Sequence, residues 1–144
     1  MTNNVSLPKD YCPGETEEYM NATMLEYFRQ KLLSWKSELL AESGETLHNL
    51  QETEMYEADA IDRASRETDH ALELRTRDRY RKLLSKIDSA LSRISSGDYG
   101  YCDETGENIG IRRLEARPIA TLCLEAQERH ERMERTRSDE PAFE

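Results

Sequence analysis

No run of apolar residues in this 144-residue chain approaches the roughly 20 needed to cross a bilayer as a helix. The N-terminus carries no signal-like segment either, so a cytoplasmic location is expected. Cysteine is scarce: Cys12, Cys102 and Cys123 do not make a secreted disulfide scaffold. A basic excess is missing as well. Twenty Lys and Arg stand against thirty Asp and Glu, a formal net charge of -10, whereas affinity for a nucleic-acid backbone needs clustered cations. A protein or cationic partner is expected instead. No nucleophile–base pair, phosphate loop or complete metal site is visible, which argues against a stand-alone enzyme.

What is present is charge and helical periodicity. Charged residues make up 35% of the chain and hydrophobic ones 36%, a composition suited to a slender molecule with a small core. Leu25, Phe28, Leu32, Trp35 and Leu39 recur at spacings of three and four, then Leu47 and Leu50 resume the pattern beyond Ser43-Gly44. One helix is expected from about Thr16 to about Met55. Thr16 is its cap, with Asn21 or Thr23 as the alternative start after a break, and Gly44 is a candidate kink. A second helix is expected from about Ser65 to Ser95, with Tyr80, Leu83, Ile87, Ala90 and Ile94 as its seam and His70, Glu73 and Thr76 on the same track. The basic run Arg75 to Lys86 reads as solvated or paired at helical spacing with acids. Gly97 stops the helix. Two narrow seams of this kind pack along each other as an antiparallel hairpin.

Its far end is Ala58-Asp59-Ala60-Ile61-Asp62-Arg63-Ala64. Asp59 and Asp62 fall on one face if the second helix begins here. One reading makes them helix-start caps and dipole complements. The other makes them carboxylates held out on a narrow tip to reach something.

Beyond Gly97 the character changes. Gly100, Gly106 and Gly110 punctuate short extended pieces, Tyr99 to Cys102 and Ile109 to Ile111, as in a compact knuckle packed by Tyr101, Ile109, Ile111, Leu114, Ile119 and Leu122. Cys102-Asp103-Glu104-Thr105 and Cys123-Leu124-Glu125-Ala126 look like two halves of a zinc ribbon in which Thr105 and Ala126 replace the second cysteines. Two thiolates do not close a structural zinc site. His130 lies seven residues after Cys123, about 10 Å along a helix, against a metal–ligand distance of about 2 Å. No metal is therefore expected; the alternatives are a weak zinc site at Cys102 and Cys123 completed by Glu104 or Glu125, and a disulfide, which a reducing compartment disfavours. The tail to Arg137 alternates Glu and Arg as a solvated helix. The expected organisation is an arm over 1–15, helix and hairpin over 16–97 with the tip near 58–64, knuckle and C-terminal helix over 98–137, and a frayed end over 138–144. The fold class is mainly α: a long antiparallel coiled-coil hairpin plus a small zinc-ribbon-like knuckle.

From about Pro13 to about His130 the sequence resembles the DksA/TraR family of bacterial RNA polymerase-binding transcription factors. The resemblance rests on Glu18-Tyr19-Met20-Asn21, Phe28-Arg29 with Trp35, Asp59-Ala60-Ile61-Asp62-Arg63-Ala64, Leu72-Glu73-Leu74-Arg75, and Gly100-Tyr101-Cys102 through Ile109-Gly110-Ile111-Arg112-Arg113-Leu114-Glu115-Ala116-Arg117-Pro118. It implies a non-enzymatic regulator whose hairpin enters the secondary channel of RNA polymerase. Such a factor destabilises open promoter complexes and works with guanosine tetraphosphate (ppGpp) in the stringent response. It implies tip roles for Asp59, Asp62 and Ala64, a polymerase contact at Arg79, and a nucleotide site, shared with the polymerase rim, at Lys86, Arg117 and Gln127. Gln127 stands where the family has Lys and Ala60 where it has a tip Pro; both weaken the pattern. A monomer without sequence-specific DNA binding is expected. A transcript-cleavage factor of the same shape and a structural coiled-coil adapter are the competing readings.

Overall fold

A computed structural model describes the backbone of residues 5–57 and 63–139 and the side chains of 5–52 and 64–138. Among the described residues the elements are four helices: α1 (Ala22–Glu57), α2 (Arg63–Ser96), α3 (Ile111–Ala116) and α4 (Leu124–Asp139). The fold is mainly α, and no described helix is long and apolar enough to cross a membrane. The chain divides into two compact units, one of residues Gln30–Leu91 and the other of Met1–Arg29 with Ser92–Glu144.

The unit of Gln30–Leu91 is a helical hairpin. Leu32 and Leu39 of α1 and Tyr80, Ile87 and Ala90 of α2 are buried, at the spacings of three and seven that keep a stripe on one face. Lys36 pairs with Asp88 at 2.6 Å, and the hydroxyl of Thr46 meets that of Tyr80 at 3.4 Å. Partner numbers fall along α2 as they rise along α1, so the helices are antiparallel. α1 runs through Gly44 as helix. Nothing lies within 4 Å of a side chain built at Gly44, so no packing demand forces a break there. The basic run is paired as its spacing predicts: Arg77 with Glu73, and Arg81 and Lys82 with Asp78. His70, expected on the seam track, is exposed.

The other unit is built on the first turns of α1. The helix starts at Ala22 rather than Thr16, because Asn21 is the cap: its Oδ1 accepts the Met24 N–H at 2.8 Å, the third residue of the helix. Residues before it form turns, closed by Glu17 N–H to Gly14 O and Asn21 N–H to Glu18 O. Met24 and Phe28 are fully buried, so the seam begins at Met24 and Leu25 is only half-buried. α2 ends in a glycine cap that satisfies the carbonyls of its last turn. The Asp98 N–H reaches Arg93 O at 3.0 Å and the Gly97 N–H reaches Ile94 O at 3.4 Å, with Gly97 at φ 84.

The stretches 99–102 and 107–110 pair around one antiparallel bridge among the described residues, Tyr101 with Asn108, and Tyr99 and Gly100, expected to be extended, lie in a turn instead. Ile111, expected in the extended piece, instead opens α3: Gly110 at φ 102 turns the chain, and the Leu114 N–H bonds back to Gly110 O. Tyr99, Leu114, Ile109, Ala120 and Ala126 are buried with Phe28 and Met24. The Tyr99 hydroxyl donates to Pro118 O at 2.8 Å, and its ring lies 5.6 Å from that of Phe28.

Candidate functional site

The chemistry-bearing groups of the Ser92–Glu144 segment gather at the knuckle. Arg93, in the last turn of α2, sets its frame. One guanidinium nitrogen donates to Tyr101 O at 2.9 Å and to Asp103 Oδ1 at 2.8 Å, and reaches Asp98 O at 3.4 Å. Tyr19 secures the other side. Its hydroxyl donates to Gly100 O at 2.6 Å and accepts the Gly110 N–H at 3.0 Å, which ties the segment before α1 to both stretches. Gly100 has to be glycine: its φ is 92, and a Cβ there would stand 2.8 Å from Met20 Cγ. Burial, first, raises the Tyr19 pKa above its ordinary value, against donation from the Gly110 amide.

Within this frame Cys102 and Cys123 are brought together. They are 3% and 7% exposed. The Thr105 hydroxyl lies 3.9 Å from Cys123 Sγ and is also hydrogen-bonded to the Cys102 sulfur. Burial pushes the Cys102 thiol up, but Thr105 and the amides of Cys123, Thr105 and Glu104 outweigh it and lower its pKa from 9.0 to about 6. Ala126 is fully buried on the first turn of α4. His130, further along α4, is turned to Glu104, which Arg129 also approaches at 3.9 Å. Among the described residues no three His, Cys, Asp or Glu side chains converge. A tetrahedral structural zinc needs four such donors. Two thiols, a hydroxyl and a methyl do not fit it.

A second feature is basic. An open groove of about 540 Å³ is lined by Arg112, Arg113 and Arg117 with Ile109, Leu124 and Glu15. Arg113 is committed in part to the fold, its Nε donating to Leu122 O at 3.0 Å. Arg112 and Arg117 are exposed, and Arg117 closes α3 through its N–H to Arg113 O. Leu124, exposed at the start of α4, gives the groove an apolar edge.

Gln127 is half-buried on α4, with its amide 3.2 Å from Glu131. Lys86 is exposed on α2, in the other unit. Arg79 is exposed on α2, its guanidinium 5.8 Å from the centre of the Tyr80 ring. Ala64 is exposed in the first turn of α2, and its carbonyl accepts the Thr68 hydroxyl at 2.9 Å. Asp59 and Asp62 lie outside the described residues. Sequence reasoning missed Arg93 and the bridging role of Tyr19. The position of Arg93 one turn before Gly97 was the available signal, since a cation there also favours the helix C-terminus.

Residues 24–94 match the family described as DnaK suppressor protein DksA, N-terminal domain, and residues 97–132 match the prokaryotic dksA/traR C4-type zinc finger. The chain is similar to the RNA polymerase-binding transcription factor DksA of Caulobacter vibrioides, 63% identical over 131 residues, covering 91% of this chain and 92% of that one. Its counterpart from Escherichia coli K12 is 46% identical over 113 residues, 78% of this chain and 74% of the relative. Among solved structures, transcription factor DksA2 from Pseudomonas aeruginosa superposes with a TM-score of 0.70 at 46% identity, covering 81% of this chain and 90% of that one.

Proposed function

Because the chain belongs to the DksA/TraR family, we propose that it is a transcription regulator that binds RNA polymerase, as its relatives' names say of them, and has no enzyme activity of its own. The hairpin enters the secondary channel, where Asp59 and Asp62 approach the active centre and Ala64 gives the tip a small profile. The observation that supports this most is the antiparallel pairing of α1 and α2 over Gln30–Leu91. A two-helix rod enters a channel that a globule cannot. Carboxylates at its end compete with or reposition the basic and metal-binding elements of a nucleotidyl-transfer centre. Regulation is then a bias between polymerase states, which requires the factor to bind one state better than the other.

Arg79 contacts the polymerase, and the knuckle with α4 grips the rim. Lys86, Arg117 and Gln127 form this chain's share of a ppGpp site completed by the polymerase. The exposed cations of α3 suit a ligand of several negative charges, and Gln127 supplies an amide where an ammonium would bind it more strongly. Transcription from a ribosomal RNA promoter with the cognate polymerase tests this reading. The protein should inhibit open-complex formation, and ppGpp should deepen the inhibition. Inhibition indifferent to ppGpp would remove the nucleotide site, and stimulated cleavage of stalled transcripts without inhibition would replace the regulator with a cleavage factor.

A further inference from the structure

We propose that Cys102 and Cys123 form a two-coordinate site for a soft monovalent ion of the copper(I) class, in the place where the four-cysteine pattern is broken. Both sulfurs are buried and both face the Thr105 hydroxyl, 3.9 Å from Cys123 Sγ on one side and hydrogen-bonded to Cys102 on the other. The Cys123 amide is aimed at the Cys102 sulfur, so the two residues share a second contact. An ion held between the two sulfurs displaces the Thr105 hydroxyl that now lies against them. The cover is the exposed stretch Asp103–Gly106, which leaves a path of entry.

The donor set decides which ion. Zinc requires four ligands, and Thr105 and Ala126 leave it two short. Soft thiolates select copper(I), and this ion is satisfied by two of them in line. The amides of Thr105 and Glu104 that point at Cys102 supply the outer hydrogen bonds that orient thiolate ligands. Binding converts two thiols and one Cu⁺ into a bis-thiolate complex of charge -1 and releases two protons, with no change of oxidation state. His130 and Glu104, which pair with each other, take no part.

The test uses the full chain with Cys12→Ser, which removes the exposed third thiol. The reduced protein is titrated anaerobically with copper(I) against a chromogenic chelator, and the bound ion is examined by X-ray absorption. The site predicts one ion per chain with two sulfur neighbours. Cys102→Ser or Cys123→Ser should lower the affinity by more than the roughly 100-fold typical of losing an outer-shell partner. Thr105→Cys, which keeps both thiols, should tighten binding and add a third sulfur. Full binding by a folded serine variant, two chains per ion, zinc held as tightly as copper(I), or no response to Thr105→Cys would each overturn the proposal.

Discussion

Arg93 ties three parts of the knuckle together, because one guanidinium nitrogen serves the backbone of Tyr101 and Asp98 and the carboxylate of Asp103. Its side chain is 16% exposed, so water replaces those bonds poorly. Arg93→Ala should cost about 2–3 kcal/mol, the range for charged hydrogen bonds lost from a part-buried site, read as a lower urea midpoint at unchanged slope. The tyrosines of the same unit make a pH statement. Burial first, and then the Glu17 carboxylate for Tyr11 and the Glu115 carboxylate for Tyr27, raise both phenols from 10.0 to about 12. Their contribution to stability is whole below pH 10, where folded and unfolded phenols are both neutral. It is lost between pH 10 and 12, where only the unfolded ones ionise. Tyr27→Phe should flatten the fall in urea stability across that window; an unchanged slope would contradict the assignment.

At the scale of elements, both long helices were legible in the sequence because a seam at spacings of three and four leaves little else for a charged chain to do. Leu32, Leu39, Tyr80, Ile87 and Ala90 are buried where that seam puts them. The first helix was read too early because Thr16 followed by Glu17 and Glu18 imitates a capped start. Nothing local reveals that Tyr19 and Met20 are needed against Gly100, a contact across some eighty residues. The same long range hid α3, whose six residues follow a glycine turn and bury only Leu114. The knuckle was legible as a ribbon with half its cysteines, and its packing explains how it closes: Tyr99, Phe28 and Met24 are buried, with the Tyr99 and Phe28 rings 5.6 Å apart. Thr105→Cys with Ala126→Cys should restore a tetrahedral site and bind one zinc per chain, measured by elemental analysis after dialysis. A double variant that folds and holds no zinc would mean that positions 105 and 126 do not face the same centre as Cys102 and Cys123.

For the molecule as a whole, the proposed function divides the roles by element: the Asp59 and Asp62 pair regulates, and the knuckle, where Arg112 and Arg117 are exposed beside Leu124, binds the partner. Binding and regulation should therefore separate. On the proposed function, Asp59 and Asp62 act on the polymerase while the exposed Arg79, Arg112 and Arg117 hold it. The sequence placed these groups by resemblance, and their joint action depends on a polymerase surface that no single-chain pattern encodes. The most direct measurement is a side-by-side comparison of wild type and Asp62→Asn for affinity to the cognate RNA polymerase and for inhibition at a ribosomal RNA promoter. Affinity should stay within about 3-fold of wild type, as expected where a residue adds little binding energy, while inhibition is lost at saturating protein. Retained inhibition, or a collapse of affinity that accounts for the lost inhibition, would contradict a tip that acts on the active centre.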